Sequence, residues 1–289
     1  MDLSVIEAGG FKIRVGTSPG KPGSLPLLLF NGIGASLELI RGFADEMERH
    51  GIGVVAFDVP GIGGSSPPKG PYRFRDLARL ANKVLVGVGI KGQVDVAGVS
   101  WGGALAQEFT HAYPLRVRRL LLAATSAGAV ALPGKWSALS KMVTPKRYSQ
   151  PSYMKEVGGE IYGGKFRDNP ALLEQYGKMI RPAKGRGYLY QLMAGAGWTS
   201  AHWLPRLRQQ TLVMMGTDDP IMPLANGRLL ARLIRNSRLM TVRDGHLFLI
   251  TSQQVCAPVI EDFLTRGLWP VAAEPAGPAE PPVTLASAG

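Results

Sequence analysis

Apolar residues in this chain fall into short blocks, and most blocks are followed by a stretch of helical periodicity. Residues 11–15 alternate apolar and polar positions as a strand does, and 25–30 form a continuous apolar run, the pattern of a strand buried on both faces. Residues 37–50 read as a helix, with Ser36 placed to cap its start and Gly51 just past its end. The alternation continues with strand 53–58, helix 74–88, a β-branched run from Val94 with a helix reaching about Tyr113, and strand 119–124. It breaks at Thr125 and resumes with strand 211–215, helix 223–234, strand 238–242 and helix 252–266. Strands alternating with helices at this spacing predict an α/β fold with a mostly parallel sheet and helices on both faces.

Between Thr125 and Leu207 turn pairs and aromatic residues replace strands, and six of the eight tyrosines fall there. We read 125–207 as a helical cap inserted into a core made of 1–124 and 208–268. From 269 onward the chain is rich in Ala, Pro and Glu with almost no large apolar residue, the composition of a disordered tail.

Bulk properties narrow the function classes. No apolar run approaches the length of a membrane span, and the N-terminus has neither the basic region nor the apolar core of a secretory signal. The single cysteine, Cys256, forbids an intrachain disulfide, so a cytoplasmic location is expected. Net charge is +12, and the cap concentrates it, with thirteen Lys and Arg against four Asp and Glu over residues 125–210. No nucleic-acid motif accompanies that charge, so nucleic acid is not an expected partner; the charge reads as a well-solvated basic surface, with docking onto an anionic or protein-coated surface as the sharper alternative.

The chemistry centres on Gly98-Val99-Ser100-Trp101-Gly102, where a strand runs through one tight turn into a helix. That is the layout of a nucleophile elbow, in which side chains two before and two after the serine would collide. The chain carries its own control, because Gly16-Thr17-Ser18-Pro19-Gly20 has the same spacing but runs into Lys21-Pro22-Gly23, which cannot start a helix. A serine hydroxyl needs a base, and the base needs an orienting carboxylate. Of four histidines only His246 directly follows the last strand. The acid is expected after the strand ending at Met215, where Asp218 and Asp219 compete, with Asp219 favoured for its place before Pro220; Asp244 reads as a turn residue. Charge developing on a carbonyl oxygen needs two fixed donors. The backbone N–H of Trp101 supplies one, and that of Ile33, in Asn31-Gly32-Ile33-Gly34, supplies the other. Gly61, Gly63 and Gly64 lack the Lys-Ser/Thr ending of a phosphate loop, and no His/Cys group has metal spacing, so neither cofactor nor metal is expected. Trp198, Trp203 and Met142 are candidate substrate contacts in the cap.

With these residues in hand the chain resembles the α/β-hydrolases and, more narrowly, the intracellular medium-chain-length polyhydroxyalkanoate depolymerases. The resemblance rests on Phe57-Asp-Val-Pro-Gly-Ile-Gly-Gly-Ser-Ser66, the Ser100 elbow, Thr217-Asp-Asp-Pro220 and Asp244-Gly-His-Leu-Phe-Leu-Ile-Thr251, together with the cap segments Ile161-Tyr-Gly-Gly164 and Gly197-Trp-Thr-Ser200. It implies a Ser100–Asp219–His246 triad, release of 3-hydroxy fatty acids or oligomers, and a polyester granule surface as partner. Rival readings are a capped esterase, lactonase or carbon–carbon hydrolase of small soluble substrates, and a non-catalytic binding protein. A polyester synthase would need cysteine at the elbow, which Ser100 excludes.

Overall fold

The computed structural model describes residues 1–142, 144, 151–181 and 185–270; Tyr148 and the expected tail beyond 270 lie outside them. Eight strands form one sheet in the order β1-β2-β4-β3-β5-β6-β7-β8. They are β1 Asp2–Ala8, β2 Phe11–Ser18, β3 Leu27–Phe30, β4 Val54–Phe57, β5 Val94–Val99, β6 Val117–Ala123, β7 Gln210–Gly216 and β8 Ser237–Val242. β2 pairs antiparallel with both β1 and β4, and every pairing from β4 to β8 is parallel.

The apolar run in β3 is buried on both faces because its successive side chains enter different cores. Leu28 and Phe30 join the core under helices α2 (Phe74–Gly87) and α3 (Trp101–Ala112), whereas Leu27 and Leu29 join the one under α1 (Leu37–Arg49) and the C-terminal helix Gln253–Glu261. Each fully buried Leu or Phe contributes about 2 kcal/mol, which sets the parallel strands as the rigid platform. A third, smaller core holds Leu39, Ile161, Tyr162, Phe166, Leu173, Tyr176 and Ile221, joining α1 to chain lying between β6 and β7 and to the loop after β7.

That connection carries helices Trp136–Met142, Pro151–Tyr162, Lys165–Asp168, Pro170–Met179 and Gly187–Gly195. No helix among the described residues is long and apolar enough to cross a membrane.

Two expectations need correction. β1 has no counterpart in the pattern reading, because at the sheet edge nearly all its side chains are exposed and no buried face marks it. Ser36 occupies the N-cap of α1, but its hydroxyl donates to Glu38, and the carboxylate of Asp58 accepts the Leu37 N–H instead. The expected final helix, 252–266, is present as Gln253–Glu261 running on into a wider-coiled turn Asp262–Arg266. A short turn Phe248–Thr251 precedes Gln253–Glu261, and the Ser252 hydroxyl between them donates to Asp244.

Candidate active site

Ser100, Asp219 and His246 follow the carboxyl ends of β5, β7 and β8, at the edge where open parallel sheets bind ligands. Ser100 has φ 54 and ψ −120, a conformation few non-glycine residues adopt. The surroundings enforce it. A Cβ on Gly98 would lie 2.3 Å from the Gly102 carbonyl oxygen, and one on Gly102 would lie 2.3 Å from that of Phe30. The Ser100 N–H donates to Ala123, and its carbonyl accepts from the Thr125 hydroxyl. The control serine, Ser18, ends β2 with its hydroxyl accepting from Val54 N–H, and Gly20 packs on Gly53.

The two neighbouring aspartates separate cleanly. Asp219 has a fully buried side chain whose Oδ2 lies 2.7 Å from His246 Nδ1, while its Oδ1 accepts from the N–H groups of Ile221 and Met222. A carboxylate at Nδ1 selects the tautomer with the proton there, leaving Nε2 as acceptor. Asp218 is 41% exposed and pairs with Arg167 and Gly164 N–H. Burial nudges its carboxyl upward, but the guanidinium and the amide outweigh that and hold it below the ordinary carboxylate range.

Asp244 does more than shape a turn. It is buried and accepts from Lys165 N–H, Gly245 N–H and the hydroxyls of Thr251 and Ser252. Those four donors overcome the burial that would raise its carboxyl and hold it below the usual range. His246 N–H donates to the Tyr162 carbonyl at 2.7 Å. The loops carrying Asp218, Asp244 and His246 therefore rest on the turn Tyr162-Gly163-Gly164. A Cβ on Gly164 would sit 2.0 Å from Gly245 N, so a residue with a side chain cannot replace it without moving the His246 loop.

Asn31 braces the loop after β3, accepting from Gly32 N–H and donating to the Ser36 carbonyl. Ile33, Ser100 and Met142 all border two chambers. The smaller, about 40 Å³, lies between Leu39, Ile40, Phe43, Tyr176, His246 and Ile250. The larger, about 410 Å³, is walled by Trp101, Leu132, Leu139, Tyr188, Trp198 and Met222. None of the residues described as lining either chamber is Lys, Arg, Asp or Glu.

Met142 and Trp198 thus stand where substrate contact was expected, and Trp203 does not. It is a buried core residue stacked on His111 at 4.3 Å between ring centroids, behind Trp198. The glycine loop after β4 wraps a carboxylate of the protein itself, since Gly64 N–H donates to Asp58, which also pairs with Arg14. Cys256 is buried in the core beside Asp244, and burial first, then that carboxylate, pushes its thiol up to about 12. No group of three or more His, Cys, Asp or Glu suited to a metal ion occurs among the described residues. Gln191 and the cage around Asp244 were missed by sequence reasoning; the Gly163-Gly164 pair was the available signal for the latter.

Comparison with known proteins adds a lineage to this geometry. The sequence pattern of the alpha/beta hydrolase fold matches residues 26–253. The chain is 51% identical to a poly(3-hydroxyalkanoate) depolymerase from Ectopseudomonas oleovorans, over 90% of this chain and 92% of that one. It is 26% identical to 3-oxoadipate enol-lactonase 2 from Acinetobacter baylyi, over 83% of this chain and 89% of the relative. The crystal structure of an enol-lactonase from Burkholderia xenovorans superposes with a TM-score of 0.78 at 21% identity, covering 91% of this chain and all of that one.

Proposed function

The chain belongs to the alpha/beta hydrolase family, and from that premise we propose that it hydrolyses ester bonds of medium-chain-length poly(3-hydroxyalkanoate) through an acyl-enzyme on Ser100. In this reading Ser100 Oγ attacks the ester carbonyl as His246 Nε2 takes its proton, and Asp219 holds the resulting imidazolium. The backbone N–H groups of Trp101 and Ile33 receive the oxyanion. Collapse of the tetrahedral intermediate breaks the bond to the alkoxide, which leaves with the proton from His246. A water activated by the same imidazole then releases a 3-hydroxy acid or short oligomer and restores Ser100.

The observation that carries the substrate class is the pair of uncharged, apolar chambers meeting at Ser100. A polyester with alkyl side chains is apolar on both sides of the scissile bond and suits two such chambers. The enol-lactonase relative is named for 3-oxoadipate, a dicarboxylate. Its enol-lactone keeps one free carboxylate, which is best met by a cation, and neither chamber supplies a lysine or arginine from its described lining. The reading as a hydrolase of small carboxylate-bearing substrates is correspondingly weaker.

A polymer surface also needs a face to meet. Trp136 is 81% exposed, and Val130, Leu132, Leu189 and Met193 are likewise exposed in segments that border the larger chamber. These residues support docking on storage granules in the cytoplasm. The basic character of 125–210 contributes less than its count suggests, since Lys141, Lys155 and Arg167 are paired with Glu160, Glu174 and Asp218. Purified protein incubated with medium-chain polyester granules, and separately with p-nitrophenyl alkanoates of graded length, tests the reading. Release of 3-hydroxy acids from the granules is expected. Brisk cleavage of soluble esters with an untouched polymer would overturn the polyester assignment.

A further inference from the structure

Gln191 lies in the middle of helix Gly187–Gly195 and is 1% exposed. Its side-chain Oε1 accepts the Gly34 N–H at 2.8 Å, and its own backbone carbonyl accepts the Trp101 indole N–H at 2.9 Å. One residue of the β6–β7 connection thus bonds to the backbone of the loop that carries Ile33 and to the side chain of Trp101, the first residue of α3. We propose that Gln191 is a positioning residue that sets the oxyanion donors; the inference rests on the serine-hydrolase reading above.

Peptide planarity explains how a side chain outside the sheet can do this. The Gly34 N–H shares its rigid plane with the Ile33 carbonyl, and Gln191 fixes that plane. The Gly32 N–H shares a plane with the Asn31 carbonyl, and Asn31 Oδ1 fixes that one. The peptide that presents the Ile33 N–H lies between these two held planes, and its own Gly32 carbonyl accepts the Ala35 N–H at 3.2 Å, so the Gln191 bond fixes one side of the turn that aims this N–H. Gly34 itself turns at φ +70, and without the Gln191 bond nothing else described accepts its N–H. The helix carrying Gln191 is in turn seated on the glycine loop after β4. A Cβ on Gly187 would lie 2.2 Å from the Gly61 carbonyl oxygen, which fixes how close that helix stands. Oxyanion stabilisation depends on donors already in place, and a displacement of about 1 Å costs about a hundredfold in rate.

The test uses Q191M, a near-isosteric change that removes the acceptor, and W101F, which keeps a ring but breaks the second bond. Each is assayed for p-nitrophenyl octanoate hydrolysis, for inhibition by an aliphatic trifluoromethyl ketone and for inhibition by 2-octanol. The ketone forms a tetrahedral adduct with serine and needs the oxyanion donors, whereas the alcohol only fills the chambers. For Q191M, kcat and ketone affinity are expected to fall about ten- to a hundredfold while KM and 2-octanol inhibition stay within about twofold. W101F also alters the wall of the larger chamber, so it is read by the ratio of ketone to 2-octanol inhibition alone, which is expected to fall severalfold, and that ratio serves if Q191M does not fold. Equal weakening of ketone and alcohol, or no change in either, would overturn the role of Gln191. Wild-type protein that fails to label with a fluorophosphonate at Ser100 would instead overturn the serine reading on which it rests.

Discussion

Ser100 and Met142 border the same two chambers, but their surroundings are held by different physics. Around Ser100 the backbone is confined by steric exclusion, with Gly98 and Gly102 leaving no room for a Cβ against the Gly102 and Phe30 carbonyls. On the opposite wall, position is set by hydrogen bonds between distant segments. Tyr188 Oη donates to the Met142 carbonyl, Trp198 Nε1 to Glu108 and Gly34 N–H to Gln191. The floor therefore belongs to the sheet and its elbow, and the roof to the connection between β6 and β7. A change in the floor should affect every substrate alike; a change in the roof should distinguish polymer from soluble ester.

The largest effects belong to the floor. S100A is expected to lose roughly 10⁴-fold or more of the hydrolysis rate on granules and on p-nitrophenyl octanoate together. D219N should approach that loss, falling about 10⁴-fold, while D218N stays within about threefold, since only Asp219 faces His246. Similar losses in D218N and D219N would erase the distinction between the two carboxylates.

The roof should yield a selective loss. Burial of a large apolar side chain contributes about 1.5–3 kcal/mol, so W136S combined with V130S is expected to slow granule hydrolysis about tenfold or more. The same variant should cleave p-nitrophenyl octanoate within about twofold of wild type, because neither Trp136 nor Val130 is among the residues described as lining the chambers. A parallel fall in both activities would mean that the exposed patch serves the fold rather than the polymer.

The smallest effect concerns the joint between floor and roof. The Asp244 carboxyl is held below its ordinary range, so its stabilisation is complete above about pH 4, the unfolded-state value, and is lost as pH falls further. D244N cannot satisfy all four donors and should cost about 2 kcal/mol at neutral pH. Thermal melts should show that deficit shrinking below about pH 4; a deficit independent of pH would contradict an ionised Asp244.

What could be read in the sequence follows the same division. The elbow, the acid loop and His246 are legible because each sits directly after a strand, where local pattern fixes position. Trp203 was misread because aromatic content alone cannot tell a wall from the core behind it, and stacking on His111 decides the matter. Asp58 was hidden for another reason. Its partners Arg14, Leu37 and Gly64 come from three separate segments, and only folding brings them together. Gln191 meets Gly34 across 157 residues of sequence, and no local spacing announces that bond.

The central claim is that the strained serine at the end of β5 carries the acyl group. Labelling the wild-type protein with a fluorophosphonate, followed by peptide mapping and an assay on medium-chain polyester, tests it most directly. The account predicts a single adduct on Ser100 and loss of 3-hydroxy acid release in proportion to labelling. Undiminished polymer hydrolysis by fully labelled protein, or an adduct on another residue that alone tracks with inactivation, would contradict it.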